Sequence, residues 1–112
     1  MIKDHLDITT RVELLNERTG LSFIVKKMFG GVGYLLGGNM AYAASMKDGD
    51  VLVRVHDAQR TELLKLEWVS PTVMGQRNMK NWVLVNPVLC DDDELERLLA
   101  IGREYALSLP PK

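Results

Sequence analysis

Hydrophobic positions along this chain switch between two periods. From Lys3 to Arg18, Leu6 (or Ile8), Val12 and Leu15 recur at helical spacing, while Arg11, Glu13, Glu17 and Arg18 fill the other faces. Two starts fit this helix. Asp4 as the cap draws Leu6 into the buried stripe and is preferred; Thr10 with Glu13 would instead make a later capping box. Gly20 suits the exit. The pattern then turns to strands: Ser22 to Met28 with Phe23, Ile24 and Val25 ahead of two lysines, Val32 to Leu36, Asn39 to Met46, and Val51 to Val55. Gly37-Gly38 has the length and the freedom of φ for a two-residue hairpin, and Lys47-Asp48-Gly49-Asp50 is a second turn.

Beyond the strands, Asp57 is expected to cap a short helix to about Leu66, with Leu63, Leu64 and Leu66 near its apolar face. Trp68 and Val69 add a short extended piece before Pro71. Residues 70–80 read as irregular, and Asn81 to Val85 as the last strand, ended by Asn86-Pro87. The final helix is the clearest. Asp91, Asp92, Asp93 and Glu94 place negative charge at its N-terminal dipole. Leu95, Leu98, Leu99, Gly102, Tyr105 and Ala106 form one stripe, and Pro110-Pro111 stop it after Leu109. Hairpin-linked strands without βαβ alternation predict an α+β fold, as a single domain over 1–112 with helices at the N-terminus, middle and C-terminus.

Charge changes this picture in two places. Met28 to Met46 holds no charged residue and is long enough to span a bilayer, but Gly30, Gly31, Gly33, Gly37 and Gly38 interrupt it. Strands and hairpins are expected there, not a membrane helix. The 112 residues include 14 Lys or Arg and 15 Asp or Glu, a net charge of −1. That excludes a broad polyanion-binding surface, so direct nucleic-acid binding is not expected. Near-neutrality is a cancellation. Residues 70–90 carry Arg77 and Lys80 and no acid, while the final segment from Asp91 is strongly acidic. Cys90, the one cysteine, forms no internal disulfide and fits a reducing cytoplasm. The N-terminus lacks the apolar core of a signal peptide.

Candidate chemistry is sparse. Gly31-x-Gly33 has Leu36 where a dinucleotide loop needs glycine, and Gly33 to Gly38 is followed by Asn39 and Met40, not by Lys and Ser or Thr. Nothing orients Cys90 with His56 as nucleophile and base. His5, His56 and Cys90 lack metal-ligand spacing. No enzyme activity, cofactor or metal is therefore expected. The six methionines read as core filling, with Met40 and Met46 on one face of a strand. Trp68 and Trp82 anchor either core or interface. Lys26, Lys27, Arg54, Arg77 and Lys80 are the candidates for a phosphate or carboxylate contact. Arg54, inside an apolar strand, needs a partner: either Glu13, Glu17 or another acid, or a bound anion.

The run Lys27-Met28-Phe29-Gly30-Gly31-Val32-Gly33 carries a resemblance, together with Gly38-Asn39-Met40-Ala41, Leu52-Val53-Arg54-Val55, Met79-Lys80-Asn81-Trp82-Val83 and the terminal Tyr105 to Lys112. The chain resembles the TfoX (Sxy) N-terminal domain family from about residue 5 onward, in its stand-alone, single-domain form. The resemblance implies a secretion-chaperone-like α+β fold with helices on a five-stranded antiparallel sheet. It marks Met28, Phe29, Gly30, Gly31, Gly33 and Trp82 as family-motif residues. Full-length members regulate bacterial competence genes with the cyclic-AMP receptor protein; the family brings no catalytic residues. The expectation is a non-enzymatic interaction module in the cytoplasm, a homodimer with a protein partner in transcription. The alternative is a small-ligand or anion-binding domain.

Overall fold

The structure, a computed structural model, describes residues 8–28, 30–45, 49–74 and 77–111, without the side chains of Met28 and of 73, 74 and 77–79. Three helices and six strands follow the order α1 (Ile8–Glu17), β1 (Ile24–Met28), β2 (Gly31–Leu36), β3 (Asn39–Ser45), β4 (Val51–Arg54), α2 (Asp57–Leu63), β5 (Val69–Met74), β6 (Arg77–Val85) and α3 (Asp92–Ser108). The strands form one antiparallel sheet in the order β1-β2-β3-β4-β6-β5. The α+β expectation holds, with one strand more than the resemblance implied.

The extra strand corrects the reading of residues 70–80. β5 and the first half of β6 occupy that segment as a hairpin. Pro71 concealed it, because proline lacks the N–H of a ladder; on an edge strand that N–H is dispensable, and β5 is an edge. Smaller corrections fall at helix ends. His56, not Asp57, is the N-cap of α2, and α2 stops at Leu63. Asp4 and Leu6, preferred for the start of α1, lie outside the described residues.

Register separates the two faces of the sheet. Val32, Ala44, Val51, Val85 and Val69 lie in one cross-strand row and are all buried. Tyr34, Tyr42, Val53 and Val83 form the next row on the same face, each fully buried. Val12 and Leu15 of α1 and Leu95, Leu98 and Leu99 of α3 complete this core. Side chains alternate across a strand, so residues between these rows belong to the reverse face. There Lys26, Gly33, Ala43, Leu52, Leu84 and Ser70 align across all six strands, and Ala43, Leu52 and Leu84 are only half-buried.

One turn and one cap behave as their sequences dictate, while Lys47 and Asp48 of the second expected turn lie outside the described residues. Gly37 and Gly38 take φ of 61° and 83°, the pair of positive values that a two-residue turn of matching twist requires. Asp91 accepts from the Glu94 N–H at 2.8 Å and Glu94 accepts from the Asp91 N–H at 3.0 Å, a reciprocal capping box that starts α3. Among the described residues no helix is long and apolar enough to cross a membrane.

Candidate functional site

The candidate cations do not converge. Lys26 and Lys27 lie exposed on the outer strand β1. Arg54 ends β4, three strand positions away, about 14 Å at the usual inter-strand spacing. Lys80 is exposed on β6, two residues before Trp82. Arg77 begins β6, and its side chain lies outside the described residues. The structure thus splits the set into a pair on β1, Arg54 with Lys80 on the neighbouring strand, and Arg77 at the far start of β6.

At Arg54 the short strand β4 stops while β3 and β6 continue on either side. The guanidinium carbon stands 4.8 Å from the Tyr105 ring centroid and 5.7 Å from that of Trp82, its cross-strand neighbour. Nη1 donates to the Met40 carbonyl at 3.4 Å, a long bond, and the buried Nε has no partner. No described carboxylate, Glu13 and Glu17 included, pairs with Arg54; its described neighbours are aromatic rings in cation–π contact, not the acid partner expected. His56 stacks on the far partner, its ring 4.4 Å from that of Tyr105. Tyr105 and His56 were not legible as neighbours of Arg54, because α3 brings Tyr105 back from the end of the chain.

Glu13 and Glu17 have another role. Their i,i+4 spacing on α1 places both on one helical face. With Asn16 from the same helix and Leu21, Phe23, Val25 and Tyr34, they line an open depression of about 250 Å³ beside β1. Tyr34 Oη donates to Glu13 Oε2 at 3.1 Å. The depression is apolar-walled and acidic, opposite in sign to an anion pocket. Its neighbour strand, β1, is exposed at residues 24–27. Ile24 and Val25 are 54% and 53% exposed although successive residues of a strand face opposite sides.

Beneath the depression runs a buried polar chain. Tyr42 Oη donates to Asn16 Oδ1, Arg103 Nη1 donates to Tyr42 Oη at 3.3 Å, and Arg103 Nη2 pairs with Glu96. It ties α1, β3 and α3 together. Burial pushes the Tyr42 hydroxyl up to about 12 despite the nearby Arg103 cation. Burial alone would lower the Arg103 pKa, but its bonds to Tyr42 and Glu96 raise it. Its bonds join three elements of the fold, and it reads as structural.

The remaining candidates resolve simply. Cys90 is buried, and burial raises its thiol pKa. It is not near His56 in any described contact. Met40 is half-buried and outside the core cluster, contrary to core filling; Met46 lies outside the described residues. Trp68 joins the core, whereas Trp82 is half-buried beside Arg54. Gly30 takes φ 74°, and a Cβ on Gly31 would collide with the Ala44 carbonyl, so both motif glycines have conformational or steric reasons. Gly33 sits in the reverse-face row, and Phe29 lies outside the described residues. Among those residues no group of three or more His, Cys, Asp or Glu is placed to hold a metal.

Comparison with known proteins agrees with the fold. The sequence model of the TfoX N-terminal domain matches residues 18–102, well over half of the chain. No curated protein and no solved structure matches significantly. The match spans β1 through most of α3, the whole sheet with the helix that covers it, and on that ground the chain belongs to the TfoX N-terminal domain family.

Proposed function

We propose that this domain is a non-enzymatic protein-interaction module that works as a homodimer in the cytoplasm and assists transcriptional regulation through protein contacts. The observation that supports this reading is the reverse face. Its row has an apolar middle (Ala43, Leu52, Leu84) between polar ends (Lys26, Ser70), the arrangement of an interface core and its rim. A two-fold contact there buries the same leucines from both copies. Covering the exposed part of each leucine contributes on the order of 1 kcal/mol. Light scattering after size exclusion is expected to give a dimer, and Leu52→Glu a monomer with unchanged circular dichroism. A wild-type chain that stays monomeric at every accessible concentration overturns the dimer.

A second reading, oxyanion binding at Arg54, draws on the unpartnered Nε and on the exposed Lys80 two residues from Trp82. A phosphate or carboxylate would complete the guanidinium's hydrogen bonds. Thermal melts in inorganic phosphate test it: an upward shift absent in Arg54→Met is expected, and no shift counts against it.

A further inference from the structure

We infer that the outer edge of β1, with the acidic depression beside it, receives an extended segment of a second protein in which four consecutive residues read acid, acid, base, apolar. This inference rests on the interaction-module reading and names its partner's chemistry.

The two edges of the sheet differ. β5 carries Pro71, and its pairing is irregular between Pro71 and Val73. Both features discourage an added strand. β1 has neither. Its five residues pair without interruption with β2, and no described strand lies on its other side. An edge of this kind offers backbone donors and acceptors to an incoming chain.

Charge decides which chain. A second copy of β1 in the antiparallel two-fold register that pairs all five residues sets Lys26 against Lys26 and Val25 against Lys27. Like charges directly opposite destabilise a strand pair. The lysines therefore disfavour self-addition and favour acids at the two incoming positions opposite them.

Side-chain alternation fixes the other two positions. Val25 shares the core-face row of Tyr34, and both line the depression. An incoming residue opposite Val25 consequently stands over Leu21 and Phe23 with the Glu13 and Glu17 carboxylates at hand. A lysine or arginine suits that place, its stem on the apolar walls and its head at the acids. Opposite Ile24, on the reverse face, an apolar side chain covers exposed apolar surface. Read antiparallel to β1, the segment is Glu-Glu-Arg-Val.

Isotope-labelled protein titrated with a synthetic peptide of that core flanked by threonines tests the inference by amide shifts. Saturable shifts are expected over residues 24–28 and at Glu13, Glu17 and Leu21. The charge-reversed peptide, Lys-Lys-Glu-Val in the same flanks, is expected to bind at least ~10-fold more weakly. Lys26→Glu with Lys27→Glu, both exposed on the edge and so harmless to the core, is expected to weaken the first peptide. Equal binding of the two peptides, shifts elsewhere, or none overturns the inference. A dimeric chain without peptide shifts removes this edge site alone, whereas a monomeric chain that binds the peptide removes only the dimer.

Discussion

Gly102 of α3 lies against Ala41 of β3 so closely that a Cβ built on it would stand 2.6 Å from the Ala41 carbonyl oxygen, 3.1 Å from the Tyr42 ring and 3.2 Å from Val53. The helix reaches the sheet only because that position has no side chain. Alanine would gain about 1 kcal/mol of helix propensity. Overpacking against backbone in a filled core costs typically 1–3 kcal/mol and more when nothing can move. The clash wins. Gly102→Ala is expected to destabilise by roughly 1–2 kcal/mol net, measured by urea denaturation; an unchanged midpoint would show that α3 slides freely.

Arg11 makes the second link between terminal elements. Its Nε donates to Asp92 Oδ1 at 2.6 Å, Nη1 to the Pro87 carbonyl at 2.7 Å and Nη2 to the Cys90 carbonyl at 2.8 Å. The two carbonyls are more sheltered than the carboxylate, since Asp92 is half exposed. Arg11→Lys, a point charge unable to span three acceptors, is expected to lose about 1.5–3 kcal/mol. Asp92→Ala is expected to lose less than about 1 kcal/mol. Equal losses would assign the link to the ion pair.

Tyr42 gives the molecule an alkaline limit. Its hydroxyl is raised to about 12 in the folded chain, chiefly by burial, against about 10 when unfolded. Below about pH 10 both states hold the proton and nothing changes. Above that the unfolded chain releases it first, so stability falls as pH rises toward the folded value, by roughly 2–3 kcal/mol in all. Tyr42→Phe starts less stable, because Asn16 and Arg103 lose a partner, but lacks this share of the decline. Comparing the two chains from about pH 9 to about pH 11 separates the effects. Parallel curves would place the titration elsewhere.

Cys90 is expected to resist alkylation at neutral pH, since burial raises its thiol pKa and the thiolate is the reacting form. Iodoacetamide labelling should be slow in buffer and fast in denaturant. Labelling at the rate of a free thiol in buffer would contradict the packing around Pro87 and Asn86.

What the sequence revealed follows from where each signal is stored. α3 and the Gly37-Gly38 turn were legible because the cap, the stripe and the glycines act within a few residues. β5 was hidden because Pro71 at its middle lacks strand character by itself; position at a sheet edge makes it acceptable. The candidate site was less legible. Arg54 stood out as a charge in an apolar strand, but its partners, Trp82 and Tyr105, are 28 and 51 residues away along the chain. The depression was half visible in the i,i+4 pair Glu13 and Glu17. Its apolar walls come from Phe23 and Val25, expected only as strand residues, and from Leu21, which fell in no expected element.

The insertion of β6 between β4 and β5 has a bearing on how the molecule folds. β1 to β4 form a continuous meander and β5–β6 a local hairpin, and the two units meet along one seam, Val51–Arg54 against Trp82–Val85. α3 makes its main contacts with β3 and β4 and fewer with β2, so it chiefly braces the meander. Short loops close the pairs within each unit cheaply, whereas the seam joins strands separated by α2 and the whole of β5. The hairpin is therefore the natural unit to dock last, bringing β6 and Trp82 to Arg54 once the meander has formed.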